Sequence, residues 1–475
     1  MEKCLEELYG KEGTSTEDPL VRLELSGFMF WKLFGAALVF FMQCGFALLE
    51  SGCVQAKNAK NILTKNIMDA CLGALLWYFV GHAFAFGDDF GHFIGTTWND
   101  FSGCGDYAKL MFQWAFAATS ATIVSGAVAE RCQFPAYLIY SAVMTGLVYP
   151  LVAHWSWTEN GWLVSKLPAA GFFDYAGSGV VHITGGSAAL VGAAVIGPRH
   201  GRFVNGSAVL MRGHSTVLSV IGVFILWFGW YGFNSVSRGG FLDMYRATRV
   251  SACTTLAAAS GGCGALLLHL VHFGAPDVMP ALNGILAGLV SISAGCSVVE
   301  PYIAAMIGLL SSPVYYYSSA LLERFLIDDP LDASAVHLSC GLWGVISVGL
   351  FANQDYMAEQ GLSTWGLIYS KDFTQLGSQL AGAAAICGWS LACSSILFLL
   401  LKRANLLRVP LEDECNGLDK SYHGGEAYYH SFSSVPQLKV LQSLKLPSPD
   451  RSRSPVPDPQ PELSKPPSSK VAFEA

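Results

Sequence analysis

Charge is scarce in this chain. Only 13% of its 475 residues are Asp, Glu, Lys or Arg, whereas a soluble protein has about a quarter. Hydrophobic residues make up 52%, so most of the chain needs a solvent other than water. This shortage excludes an ordinary soluble protein, and the net charge of −7 gives no indication of a nucleic-acid partner.

Other common signatures are missing as well. The thirteen cysteines include no CxxC pair and no spacing typical of a metal site, so we expect no metal or other cofactor. Residues 1–26 are polar and acidic, without the basic and apolar stretches of a cleavable signal peptide. We therefore expect the first apolar segment to act as an uncleaved signal.

Long apolar windows are what the chain has instead. A bilayer core about 30 Å thick needs about 20 apolar residues per helix. The fifty glycines would weaken soluble helices but let membrane helices approach closely. We predict an all-α polytopic membrane protein with about eleven transmembrane helices, at residues 27–50, 61–86, 108–130, 135–154, 175–196, 215–236, 247–272, 278–298, 301–322, 334–352 and 376–401.

The orientation of these helices follows from the loops, because Lys and Arg concentrate on the cytoplasmic side. Basic residues follow the first, fifth and eleventh helices, at Lys57, Lys60, Lys65, Arg199, Arg202, Arg212, Lys402, Arg403 and Arg408. Against this bias, Arg238, Arg246 and Arg249 fall in a predicted outside loop. We predict an extracellular N-terminus and a cytoplasmic C-terminus, and Cys4 and Cys104 then both lie outside as a candidate disulfide.

The composition divides the chain into four parts. We expect an extracellular segment at 1–26, a transmembrane domain at 27–403 and a cytoplasmic regulatory tail at 404–430. Residues 431–475 are rich in Pro, Ser and charge, and a segment of that composition cannot bury a core. We predict that this last part is disordered.

Two short stretches of the chain repeat each other. Both read Asp, seven residues, His, three residues, Gly, at Asp174, His182 and Gly186 and at Asp329, His337 and Gly341. They begin the fifth and the tenth predicted helix, so each half has five helices and the second half must be inverted in the membrane. Gly45-Phe46 in helix 1 and Gly232-Phe233 in helix 6 fit the same register. The pattern predicts two inverted five-helix repeats plus a final helix, with a substrate path between the repeats.

The two histidines of this repeat are ionisable residues inside the membrane. Such residues are costly and usually mark a pathway. His182 and His337 each lie eight residues beyond their Asp, roughly 12 Å into the helix, and the symmetry brings them face to face. Two imidazoles can then share one hydrogen bond. Two other readings stay open: a neutral histidine bonded to its neighbours, and bis-imidazole ligation of a haem.

Several motifs resemble the Amt/Mep/Rh ammonium transporter family. The matching stretches are MQCGFALLESG, FQWAFAATSATIVSGAVAER, DYAGSGVVHITGGSAALVGAAVIGPR, FGWYGFNSVS, DDPLDASAVHLSCGLWG and GLDKSYHGGEAYY. The resemblance runs in order from about residue 27 to 430 with the expected number of helices. It implies transport of ammonium or ammonia through a pore in each protomer of a plasma-membrane homotrimer.

The resemblance also assigns roles by position. It implies twin pore histidines at His182 and His337, stacked gate phenylalanines at Phe116 and Phe233, and an outer recruitment site of Phe116, Trp157 and Ser237 with Trp230 and Phe112 lining it. It places a buried carboxylate, Asp174, beneath that site. The complete Trp–Phe–Ser set is similar to the Amt branch rather than to Rh relatives, while Val236 departs from the usual glycine.

The chemistry of these residues fits such a role. An aromatic face attracts a small cation by roughly 1–2 kcal/mol when partly dry. A bare ion in a low-dielectric lumen costs tens of kcal/mol, whereas deprotonating ammonium at pH 7 costs about 3–4 kcal/mol. We therefore expect ammonia to pass the histidines, with the imidazoles relaying the proton. A Rh-like gas channel, an ammonium sensor and a bis-histidine haem protein are the alternatives.

Overall fold

The computed structural model describes residues 19–98, 106–168, 171–238 and 243–428. Each of the eleven predicted windows contains a helix. Their bounds are α1 Pro19–Cys53, α2 Ala56–Phe86, α3 Asp106–Ala127, α4 134–157, α5 Ser178–Ile196, α6 Thr216–Ser235, α7 Met244–Phe273, α8 Val278–Ile292, α9 Pro301–Arg324, α10 Ala335–Phe351 and α11 Thr374–Arg403. The candidate Cys4–Cys104 disulfide and the predicted disorder of 431–475 lie outside the described residues.

The helices have the composition of a multi-pass membrane protein. In the described part of the chain, seven helical segments are long and apolar enough to cross a bilayer, while α8 and α10 are apolar but shorter. Large apolar side chains point outward along them, including Phe224, Ile396 and Leu400, each about 60% exposed. Such a surface would be unstable in water and is typical of contact with lipid.

Two short hairpins interrupt the helical pattern and were not predicted. β1 Asp89–Phe90 pairs antiparallel with β2 Ile94–Gly95, and β3 Phe203–Val204 with β4 Ser207–Ala208. The second hairpin turns at Asn205-Gly206, both with positive φ, which is the residue pair that two-residue hairpin turns prefer. Both hairpins lie in loops between helices.

Several helices extend beyond their apolar windows. α1 begins at Pro19, eight residues before the predicted start, and proline is favoured in the first turn of a helix. Seven of the basic residues counted above as loop charges lie in helices, namely Lys57, Lys60 and Lys65 in α2, Arg246 and Arg249 in α7, and Lys402 and Arg403 in α11. Lys65 is buried in α2, where its Nζ donates to the carbonyl of Cys132 (3.0 Å), and Arg249 is buried in α7. These two buried charges do not count toward the loop bias that predicts orientation.

Four helices contain a wide π turn, in which the backbone hydrogen bonds skip one more residue than in an α-helix. The wide turns are Trp77–Gly81 in α2, Met144–Val148 in α4, Ser178–Ile183 in α5 and Ala335–Ser339 in α10. Turns of this kind are rare in proteins, and those that occur are often at functional sites. The last two contain His182 and His337, so the distortion coincides with the pair that the repeat predicts.

Candidate functional site

The chain enters α5 through a tightly capped turn. The carboxylate of Asp174 accepts hydrogen bonds from the backbone N–H groups of Gly177 (2.8 Å), Gly179 (2.8 Å) and Val180 (2.9 Å). Gly177 has φ +114°, which a residue with a side chain rarely adopts. Asp174 is fully buried and satisfies helix N–H groups that would otherwise lack a partner.

α10 begins in the same way. The carboxylate of Asp329 accepts from the backbone N–H groups of Ala333 (3.0 Å) and Ser334 (2.7 Å), and from the Ser334 hydroxyl (2.5 Å). The two aspartates of the sequence repeat therefore have the same structural role. Each caps a helix that carries a buried histidine eight residues further on.

The two histidines meet where α5 and α10 cross. His182 and His337 have their Nδ1 atoms 3.1 Å apart, and their rings are nearly parallel at 17°. The glycines of the repeat allow this approach, because a Cβ on Gly341 would lie 2.6 Å from the carbonyl oxygen of Ser178 and one on Gly186 would lie 2.8 Å from the His337 carbonyl carbon. The motif thus encodes both the histidine pair and the crossing that brings it together.

The pair has the geometry of a shared hydrogen bond. One Nδ1 donates and the other accepts, so both rings are neutral or share a single extra proton. The spacing does not fit an iron between these nitrogens, because two bonds of about 2 Å would need roughly 4 Å. Within the described residues, Nε2 of His182 has no hydrogen-bond partner, and it is therefore available to a small polar molecule in the pore.

Trp230 packs directly against the histidine pair. Its ring stacks on His182 with centroids 5.3 Å apart, and its Nε1 donates to the hydroxyl of Ser293 (2.9 Å). The sequence comparison placed Trp230 in the lining of the outer site, but it is not among the residues that border the pocket described below. It lies one layer deeper because it precedes Phe233 by three residues in α6, and that turn of the helix packs against His182.

Phe116 and Phe233 form the next layer. Their rings stack with centroids 4.1 Å apart and an interplanar angle of 11°, and both are almost completely buried. The Phe233 ring lies 5.6 Å from the ring of His182. The phenylalanine pair therefore separates the histidines from the pocket above it, as expected of a closed gate.

That pocket has a volume of about 100 Å³, and we call it the aromatic pocket. It is lined by Phe86, Phe112, Gln113, Phe116, Trp157, Tyr175, Ser237 and Arg238. Phe116 contacts Phe112 at a centroid distance of 4.8 Å and the edge of Trp157 at 5.8 Å. Trp157 is held in place because its Nε1 donates to the backbone carbonyl of Asp174 (2.9 Å). Five aromatic side chains thus border one small space.

Ser237 presents its oxygen to the aromatic pocket. The hydroxyl donates to the backbone carbonyl of Phe233 (2.5 Å), so its lone pairs are available to accept a hydrogen bond from a cation. Val236, the departure from the family pattern, is buried beside it. Ser237 still borders the pocket despite this change.

Two basic side chains, one lining this pocket and one packed behind its lining, were not predicted as site residues. Lys32 is buried, and its Nζ donates to the backbone carbonyls of Val236 (2.7 Å) and Ser237 (3.1 Å) and lies 4.9 Å from the centre of the Phe112 ring. Arg238 borders the pocket itself. A lone lysine in the first apolar window is an unusual feature, and that signal could have pointed to Lys32.

His337, but not His182, borders a second, smaller pocket. This carboxylate pocket, as we call it, has a volume of about 30 Å³ and is lined by Phe46, Leu49, Glu50, Ile123, Gly126, Leu286, Leu331, Ala333, Val336 and His337. Glu50 supplies its single carboxylate. This residue was also missed as a site residue, although it is an acid at the end of an apolar window.

A larger cavity of about 280 Å³ continues from the carboxylate pocket, with which it shares Leu49 and Leu331. Charged side chains of both signs line it, namely Arg199, Arg202, Asp277, Glu323, Asp329 and Asp332. Nearby, Asp328 forms an ion pair with Arg199 (2.8 Å). Burial opposes ionisation of Asp328, but the hydrogen bond and charge of Arg199 prevail and lower its pKa to about 2.

The tail, residues 404–428, packs on the start of α2 and on the α5–α6 connection. The Asp419 carboxylate accepts from the backbone N–H groups of Lys60 (2.9 Å) and Asn61 (2.7 Å), and the hydroxyl of Tyr428 bonds to Nε2 of His214 (2.7 Å). Glu414 accepts from the backbone N–H of His200 (2.6 Å). The tail therefore joins the start of α2 to the α5–α6 connection of its own chain.

Comparisons with known proteins agree with this architecture. A sequence profile of the Ammonium Transporter Family matches residues 30–428. Ammonium transporter 1 member 3 of Solanum lycopersicum is 43% identical, with 84% of this chain and 92% of the relative aligned. Ammonium transporter 3 of Dictyostelium discoideum is 40% identical, with 84% of this chain and 93% of the relative aligned.

Solved structures give the same result. A structure described as a sensor Amt protein superposes with a TM-score of 0.78 at 34% identity, covering 85% of this chain and 99% of its own. Mep2 of Candida albicans superposes with a TM-score of 0.75 at 29% identity, covering 85% and 91%. The chain is therefore a multi-pass membrane protein that belongs to the Ammonium Transporter Family, whose members are transporters and not enzymes.

Proposed function

We propose that this protein transports ammonium across the plasma membrane through a pore in each protomer of a homotrimer. The observation that carries the proposal is a continuous series of contacts: the aromatic pocket, the Phe116–Phe233 stack, the His182–His337 pair and the carboxylate pocket follow one another. The ring centroids along this line are separated by 4.1 Å, 5.6 Å and 5.1 Å. Such a line of buried aromatic and imidazole rings suits a small solute that travels without its hydration shell.

Recruitment occurs at the aromatic pocket, which we assign to the extracellular side. Phe112, Phe116 and Trp157 offer ring faces to a cation, each worth roughly 1–2 kcal/mol when partly dry. The Ser237 oxygen accepts one of the four ammonium N–H groups. The buried charge of Asp174 biases the mouth toward cations, and the helix cap keeps that charge in place.

Ammonium loses its proton before it passes the phenylalanine gate. Carrying the ion into the apolar lumen would cost tens of kcal/mol before relaxation, whereas deprotonation at pH 7 costs about 3–4 kcal/mol. Ammonia then hydrogen-bonds along His182 and His337. The shared Nδ1 hydrogen bond supports a proton relay through the pair, because neutral imidazole both donates and accepts. In that case net ammonium crosses and the membrane potential drives transport.

We also propose that α1–α5 and α6–α10 are inverted repeats, with the N-terminus outside and the C-terminus in the cytoplasm. The matched caps of Asp174 and Asp329 and the face-to-face histidines support this arrangement. A pseudo-twofold axis in the membrane plane would relate the two halves, with the substrate path at their interface.

The tail is the proposed regulator. Its contacts join the start of α2 to the α5–α6 connection beside the large cavity, so release of the tail would free both segments. Phosphorylation near these contacts would favour release by charge repulsion. Deletion of residues 410–475 should change the transport rate, and unchanged transport would reject a regulatory role.

The test is voltage clamp of expressing cells during steps of external ammonium, with intracellular pH recorded at the same time. We expect an inward current that His182→Ala and His337→Ala each abolish while the protein stays at the cell surface. Undiminished current in both variants would refute the proposed path. A Rh-like gas channel would raise intracellular pH without current.

A sensor is the second candidate, because one of the matching structures is described as a sensor Amt protein. A sensor would bind ammonium and yet show neither current nor a pH change in the same experiment. The binding residues would be the same in both cases, so only flux separates the two functions.

A further inference from the structure

Glu50 is a buried carboxylate that the proposed path does not use. Its side chain is 2% exposed, and its Oε2 accepts a hydrogen bond from Nδ2 of Asn66 (2.9 Å). The same Asn66 amide also donates to the backbone carbonyl of Ile62 (2.9 Å). Because both donors of Asn66 are occupied, the carboxylate is held in a fixed position. An ionisable group at this depth is costly and usually has a function.

Glu50 shares its pocket with His337. The two side chains border the same space of about 30 Å³, which is large enough for one molecule of the size of water or ammonia. The remaining lining residues, other than the glycine, are apolar. A solute that leaves the histidine pair on this side therefore meets one carboxyl group.

The sequence repeat gives Glu50 a counterpart. Gly45-Phe46 of α1 corresponds to Gly232-Phe233 of α6. Four residues after each phenylalanine come Glu50 in α1 and Ser237 just beyond the end of α6. Ser237 borders the aromatic pocket and Glu50 the carboxylate pocket. The two polar side chains thus occupy matching positions at opposite ends of the pore, one a hydroxyl and the other a carboxylate.

We propose that Glu50 forms a second substrate site, which binds the ammonium-type cation at the end of the pore opposite the aromatic pocket. The proposal rests on the proposed function, because it takes the path through the histidine pair as given. The carboxylate is the counter-charge for the ion and accepts its N–H groups, and Asn66 is a positioning residue. Lys65 and Asp69 of α2 are the other charged side chains that act on Glu50, and His337 faces it from α10.

The geometry also explains why a carboxylate, and not a hydroxyl, belongs at this end. Five aromatic side chains line the aromatic pocket, whereas Phe46 is the single aromatic carbocycle among the described residues that line the carboxylate pocket. Ring faces supply only modest attraction, so the pocket that lacks them needs a full negative charge to hold the same ion. Glu50 provides that charge.

The experiment uses the full-length protein in proteoliposomes of known orientation, with ammonium applied to one side at a time and current recorded. Glu50→Gln keeps the shape of the side chain and its bond from Asn66 but removes the charge. We expect the half-saturating ammonium concentration on the carboxylate-pocket side to rise about tenfold, because hydrogen bonds between charged groups are strong. The value on the aromatic-pocket side should stay the same.

Two further variants make the result decisive. Glu50→Asp moves the charge by one methylene and should raise the same half-saturating concentration by about threefold. Glu412→Gln, an exposed carboxylate of the tail, is the matched control and should change nothing. The inference is overturned if Glu50→Gln has the same half-saturating ammonium concentrations as the wild type on both sides. If Glu50→Gln does not fold, unchanged values for Glu50→Asp overturn it instead.

The proposed function and this inference fail differently. Wild-type protein without any ammonium current defeats the transport proposal. Wild-type current with no effect of Glu50 variants defeats only the second site.

Discussion

The aromatic pocket and the carboxylate pocket are built on the same kinds of residues, but basic side chains lie at the first and acidic side chains at the second. Each end has a helix capped by an aspartate, a histidine, and a phenylalanine that is followed four residues later by a polar side chain. The aromatic pocket is lined by five aromatic side chains and Arg238, and Lys32 lies against the Phe112 ring. The carboxylate pocket adds Glu50 and opens toward a cavity that contains Asp329 and Asp332.

In the proposed transport path, this difference would let two similarly built ends bind one solute in two ways. Aromatic rings beside basic groups would select a small cation but hold it weakly. A carboxylate with a single aromatic ring beside it would hold the ion more firmly. Under this proposal the shared framework fixes the path, and the residues at the two ends determine the affinity on each side.

The largest expected effect comes from removing the carboxylate beneath the aromatic pocket. Among the described residues that border this pocket or hydrogen-bond to it, Asp174 is the one carboxylate. Asp174→Asn leaves Lys32 and Arg238 without an opposing charge, so ammonium current at low concentration should fall more than tenfold. Voltage clamp at micromolar ammonium measures this loss.

Asp329→Asn is the matched control at the other end. It removes an equivalent helix cap, so both variants should lose stability, about 1–3 kcal/mol for the fully buried Asp174 and less for the half-buried Asp329. Other acids remain beside Asp329, and the current should fall less than in Asp174→Asn. Equal loss of current in the two variants would mean that the aspartates act only as caps.

The repeated aspartates and histidines and the stacked phenylalanines could be predicted from the sequence, but the charged residues Lys32 and Glu50 near the two pockets could not. The spacing of Asp174 and His182, repeated at Asp329 and His337, is a local pattern, and it predicted the contact between the two histidines. Phe116 and Phe233 were found through the resemblance to a known family. These residues belong to motifs that repeat within the chain or recur in the family, and such motifs can be recognised from the sequence alone.

Lys32 and Glu50 were missed for a physical reason. Both lie in α1, and their importance depends on which side chains of α2, α3, α6 and α10 meet them in the fold. Apolar periodicity shows that a helix is buried but not which cavity a given residue borders. It also cannot separate a wide turn from an ordinary one, so the distortions at the two histidines were not predicted either.

Removing the charge of Lys32 should have a smaller effect than Asp174→Asn, and it should strengthen ammonium binding instead of weakening it. Its amino group lies beside the ring of Phe112, and a like charge at roughly 7 Å costs about 0.6 kcal/mol in a water-filled mouth. Lys32→Met should therefore lower the half-saturating ammonium concentration on the aromatic-pocket side by about threefold. Lys32→Arg keeps the charge and should leave the value near that of the wild type. A rise in Lys32→Met would show that the lysine matters only through its bonds to the Val236 and Ser237 carbonyls.

The smallest effect concerns pH at the end that carries the tail. Burial lowers the pKa of His423 below its ordinary value, Asp419 opposes this shift, and Lys65 and Lys60 reinforce it. Nδ2 of Asn61 donates to Nε2 of His423 (2.7 Å), which requires an unprotonated ring.

A docked tail with a lowered His423 pKa binds fewer protons than a released tail. Docking should therefore be complete above the ordinary histidine pKa of about 6.5 and weaken as the pH falls below it. The raised pKa of Asp419, caused by burial, acts in the opposite direction from about pH 4 upward. Limited proteolysis of the tail between pH 5.5 and 7.5 should show faster cleavage of wild type at the acidic end. His423→Asn retains an amide in place of the ring and should remove this slope, so identical slopes in the two proteins would show that His423 does not control docking.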